Sequence, residues 1–104
     1  MNLVERSVLE WIAGQDPGTL ERWAMADEDV VPRLQAQYGR YLPAAKAWLG
    51  SDGLRQVRTM RATDLLDALL RRYPAQGVAC WRHRRWFERQ VERVRDMFMR
   101  NLTV

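Results

Sequence analysis

A chain of 104 residues, 47% hydrophobic and 29% charged, suits one domain over 1–104 that buries about 65% of its unfolded surface. That composition excludes a wholly disordered chain, and the single cysteine, Cys80, excludes an intrachain disulfide and a four-cysteine zinc site. The net charge of +4 is uneven, because Arg71–Val104 holds nine arginines against three acids, so the basic character belongs to one end.

The opening residues MNLVERSVLEWIAG carry Glu5 and Arg6 where a secretory leader needs an unbroken apolar run. No run approaches the length of a membrane span, so a soluble, cytoplasmic protein without a membrane partner is expected. Leu3, Val4, Val8, Trp11 and Ile12 recur at three- and four-residue steps and predict an amphipathic helix over 2–13, stopped at Gly14. Asp16-Pro17 has the form of an N-cap followed by proline at the first helical position, opening a short helix through Leu20, Trp23 and Ala24. Asp27, Glu28 and Asp29 then place negative charge at the positive end of a third helix carrying Leu34 and Tyr38 and weakening at Gly39.

Pro43 would break a helix interior, so Ala44–Gly50 reads as a separate short helix closed by Gly50. Leu54, Val57, Met60, Leu65, Leu66, Leu69, Leu70 and Tyr73 form the most hydrophobic helical stripe, with Thr63 an acceptable N-cap for a restart within it. Pro74-Ala75-Gln76-Gly77 is expected to interrupt the pattern. A long final helix then follows from Val78 to Arg100, with Phe87, Val91, Val94 and Phe98 along one seam. No stretch alternates with period two between turn dipeptides. The expected class is therefore all-α, a compact bundle of about five or six helices ending in a long amphipathic one.

The candidate partner-binding residues are Trp81, Arg82, Arg84, Arg85, Trp86 and Arg89. Tryptophan and arginine dominate the energetic centres of protein interfaces, and five tryptophans are many for so small a core. Trp81 and Trp86 lie five residues apart, about 140° around a continuous helix, so one of them is expected at a partner surface. With Phe87 on the inner seam, Trp86 falls on its flank, where a residue reaches a second subunit. The same arginines can neutralise phosphates while a tryptophan stacks on a base. A helix-turn-helix form of that reading places 63–73, the Pro-Ala-Gln-Gly turn and the start of the last helix on DNA, with Trp81 and Trp86 bulky for the groove.

Two features temper both readings. Glu88, Glu92 and Asp96 interleave with the arginines, and residues 1–29 hold seven acids that can fold back on the basic end if the first helix lies beside the last. Each exposed pair of that kind adds about 0–1 kcal/mol.

Cys80 and His83 stand three residues apart on one helical face, but two ligands do not make a zinc site. As a nucleophile and base they lack a third group to orient the base and donors for an oxyanion. Asp64 and Asp67 suit the positive end of a helix, and there is no glycine-rich phosphate loop. No catalytic residue, metal, cofactor or small-molecule substrate is expected. The expected function is a non-catalytic helical interaction module or accessory subunit, binding a larger protein or a copy of itself through the Arg/Trp-rich C-terminal helix. The second expectation is a DNA- or RNA-associated helical protein, free-standing or a subunit of a ribonucleoprotein, using the same patch.

Overall fold

Seven helices and no strand occur among the residues that the computed structural model describes, which are 1–39, 47 and 52–103. They are α1 (Leu3–Ala13), α2 (Pro17–Met25), α3 (Val31–Tyr38), α4 (Asp52–Arg58), α5 (Ala62–Arg72), α6 (Pro74–Arg82) and α7 (Arg84–Thr103). The all-α class holds, while the count exceeds the expected five or six because two stretches read as long helices are each divided. The helix expected over Ala44–Gly50 lies, apart from Ala47, outside the described residues, as does Trp48.

The first two helices start within a residue of where periodicity places α1 and where the Asp16-Pro17 pair places α2. Asn2 closes a capping box on α1, its side chain accepting from Glu5 N at 2.8 Å while Glu5 Oε1 accepts from Asn2 N at 3.3 Å. Asp16 caps α2 by accepting from Gly18 N at 3.0 Å, with Pro17 in the first turn. Asp27 follows α2 in the left-handed region at φ 51°, which a short polar side chain tolerates.

Acceptors from outside the helix cap α3. Asp29 Oδ1 accepts from Val31 N at 3.0 Å, as its placement predicts, and Gln90 Oε1 reaches from α7 to accept from Val30 N at 2.9 Å. Gln90 is only 3% exposed, so this distant side chain satisfies a buried backbone donor.

The stripe from Leu54 to Tyr73 breaks two residues before Thr63. Thr59 Oγ1 bonds back to Arg55 O and Gln56 O, Met60 is sealed in the core, and Arg61 is extended at φ −119°, ψ 136°. Thr63 consequently sits inside α5 and does not cap it.

Pro74-Ala75-Gln76-Gly77 is a correction of another kind, being the first turn of α6 and not an interruption. Proline disfavours the helical region for the residue before it, so the chain bends at Tyr73 (φ −137°, ψ 68°) and restarts at once. Tyr73 N still donates to Leu69 O at 2.7 Å, and Tyr73 O accepts from Gly77 N at 2.8 Å. The bend presses α6 onto the end of α5 so closely that a Cβ on Gly77 would stand 2.7 Å from Leu70 N and Cα.

The expected long final helix also divides, at His83 (φ −122°, ψ 43°). Along α7, Phe87, Val91 and Val94 are buried as the seam predicts, whereas Phe98 is only partly buried and Met97 fills the core beside it. α7 packs against α3, α4, α5 and α6, while α1 lies on α4 and α5. α2 runs parallel to α6, joined by Gln76 Nε2 donating to Gln15 O at 3.1 Å near their starts and by a contact from His83, just past the end of α6, to Glu21 midway along α2. Among the described residues no helix is long and apolar enough to cross a membrane.

Candidate partner interface

The basic segment forms a corner where α6 ends and α7 begins. Val78, Trp81 and Arg82 follow at three- and four-residue spacing and share the outward side of α6. The break at His83 then turns Arg84 and Arg85 onto a new helix axis, so Arg82, Arg84 and Arg85 spread around the corner and do not line up along one rod. His83 fixes the corner to α2, its Nε2 standing 2.9 Å from Glu21 Oε1.

Trp81 is 49% exposed and Val78 41%. The Arg84 guanidinium carbon lies 4.7 Å from the centroid of the Trp81 ring, and Arg84 Nη1 donates to Trp81 O at 3.4 Å. A cation over an indole at this separation is attracted by about 0.5–1 kcal/mol where exposed. Beside them lies an open depression of about 440 Å³ floored by Ala24, His83 and Trp86 and edged by Arg82, Arg84, Arg85 and Arg89.

The acids of the N-terminal third do meet the basic end, though through the α2–α3 connection and not through α1. Asp27 pairs with Arg89 at 2.7 Å and Asp29 with Arg93 at 3.5 Å, while Glu28 pairs with Arg33 at 3.1 Å. These pairs are exposed and individually weak. Their effect is to neutralise the middle of α7. Among the described residues, no carboxylate lies within 4.0 Å of the Arg82, Arg84 or Arg85 guanidinium.

Of the six residues singled out in the sequence, the structure brings Trp81, Arg82, Arg84 and Arg85 together on the surface. Trp86, expected on a flank facing a partner, is a correction: it is 5% exposed, and its indole N–H donates to Glu28 O at 2.9 Å. Arg89 borders the depression but is engaged by Asp27. Val78 was not among the candidates, because Pro74–Gly77 reads as a turn if the proline is taken as a breaker. The Tyr73-Pro74 pair carries the same proline-at-the-start signal as Asp16-Pro17, and it would have placed Val78 on one face with Trp81. The helix-turn-helix reading loses its turn, since α6 begins directly after Tyr73.

Cys80 is fully buried, and burial pushes its thiol up to about 12, so it is a protonated core side chain at neutral pH. No group of three potential metal-ligating side chains occurs among the described residues. Comparison with protein-family models, curated proteins and solved structures found no match to this chain.

Proposed function

We propose that this chain is a non-catalytic helical interaction module, an accessory subunit that engages a larger protein through the α6–α7 corner. The observation that carries the reading is the setting of Trp81. A half-exposed indole lies one turn from exposed Val78 and under the Arg84 guanidinium, and among the described residues Arg82, Arg84 and Arg85 have no carboxylate within 4.0 Å, whereas Arg89 and Arg93 on α7 are paired. Exposed indole and guanidinium groups gain most when a partner excludes water from them, which is why they concentrate binding energy at interfaces. The sealed, protonated Cys80 thiol and a His83 held by Glu21 favour this over nucleophilic catalysis.

A nucleic acid is the second reading, favoured by the same juxtaposition of Trp81 with Arg82, Arg84 and Arg85 as a stacking platform with phosphate-binding cations. It is the weaker one. Asp27 and Asp29 engage the next arginines along α7, and exposed Glu88 and Glu92 each directly precede one of them, so the basic track for a phosphate backbone is short.

The test places a photo-crosslinking amino acid at Val78 in cells that make the protein. Discrete protein adducts are expected, lost when Arg82, Arg84 and Arg85 are changed to Gln with the far-UV dichroism unchanged. An adduct of twice the chain's mass identifies a second copy as the partner. Adducts with nucleic acid alone, or the same adducts from a crosslinker at Glu92, would overturn the reading.

A further inference from the structure

Charge and shape at the corner specify what kind of segment fits it. We infer that the partner contributes a short acidic segment with an apolar anchor: a large aliphatic or aromatic side chain packs on Val78 and Trp81 while neighbouring carboxylates engage Arg82, Arg84 and Arg85. This rests on the interface reading above and narrows it to one chemistry.

Three features carry the inference. The apolar and cationic parts are adjacent, since Val78 and Trp81 are exposed one turn apart on α6 and the three guanidiniums that no carboxylate engages among the described residues begin at the next residue. Arg84 is already held over the Trp81 ring and against Trp81 O, so less freedom is lost when its fork closes on a carboxylate.

The third feature is extent. At about 1.5 Å per helical residue, the stretch from Val78 to Arg85 covers about 11 Å of backbone, the length of about two helical turns or three to four extended residues. Beyond it on one side, Ala75, Gln76 and Gly77 carry no charge. On the other side, exposed Glu88 and Glu92 stand among arginines that Asp27 and Asp29 already engage. A long polyanion would run off the cations in either direction, whereas a short acidic segment ends where they end.

The experiment pans a random dodecapeptide library displayed on phage against the full chain, with counter-selection on the variant carrying Arg82→Gln, Arg84→Gln and Arg85→Gln. Labelled oligothymidylate is titrated in parallel. All the substituted side chains are exposed, and dichroism of each variant verifies its fold. Enriched peptides are expected to combine Asp or Glu with Leu, Phe or Trp. Their affinity should fall about tenfold or more on Trp81→Ala, and again when their acids become amides. Enriched peptides that need the corner but carry no acids overturn this inference and leave the interface reading standing. If no peptide depends on the corner, or oligothymidylate binds more tightly than the best peptide, the interface reading falls with it.

Discussion

Replacing Trp86 tests whether the corner divides as described, with one tryptophan in the core and the other outside. Trp86 is 5% exposed, fills the space between α7 and the α2–α3 connection, and donates its indole N–H to Glu28 O at 2.9 Å. Trp86→Ala opens a cavity the size of an indole and should cost about 3–5 kcal/mol. For a domain with about 5–15 kcal/mol of total stability, that is a large share. With a urea dependence of about 1–2 kcal/mol per M, the unfolding midpoint should fall by about 1.5–5 M. Trp86→Phe keeps most of the volume but leaves the Glu28 carbonyl without its donor, for a loss of about 1–3 kcal/mol. Trp81→Ala removes a half-exposed ring and one cation–π contact and should cost under about 1 kcal/mol. The assay is urea unfolding followed by far-UV dichroism, which does not depend on the fluorescence being altered. Equal midpoints for Trp86→Ala and Trp81→Ala would refute the assignment, and an unchanged midpoint for Trp86→Phe would remove the hydrogen bond from the account.

Gly77→Ala should destabilise by about 1–3 kcal/mol despite an intrinsic helix gain of about 1 kcal/mol, because the new Cβ meets the Leu70 backbone at 2.7 Å; a higher melting temperature would show that α6 does not press on α5. Cys80 makes stability fall with alkali: its thiol ionises near 9.0 when unfolded and about 12 when folded, so the unfolded state loses its proton first as pH rises. That lowers stability by about 1 kcal/mol at about pH 10 and by about 4 kcal/mol beyond about pH 12. Urea midpoints against pH should therefore slope less for Cys80→Ala than for the wild type above about pH 9, and parallel slopes would contradict the buried thiol. A double-mutant cycle on Asp27 and Arg89, both substantially exposed, should give a coupling of about 0–1 kcal/mol that shrinks with salt.

Much of the helical framework is written locally. The Asn2 and Asp16 caps, the Phe87-Val91-Val94 seam and the charge excess of the C-terminal third all follow from residues near in sequence, and the structure has them in place. Helix ends at Tyr73 and His83 were harder to read. Tyr73 bends because of the proline after it, yet the same proline starts α6, and only its position relative to the bend tells breaker from first-turn residue. His83 carries no proline or glycine signal; its break coincides with a contact to Glu21, 62 residues away.

That break explains why the two tryptophans were not separable by periodicity. An angle of about 140° relates positions five apart only on an uninterrupted helix, and a non-helical residue between them resets the phase. Trp81 therefore faces where the packing of α6 leaves it, and Trp86 where the packing of α7 does. The all-α class, the apolar seams and the location of the positive charge are legible along the chain, because each depends on residues within a few turns of one another. Which arginines are neutralised and which tryptophan is outside depend on how the helices pack. Asp27 meets Arg89 across 62 residues and Glu28 receives the Trp86 indole across 58, contacts that exist only once α2, α3 and α7 have packed.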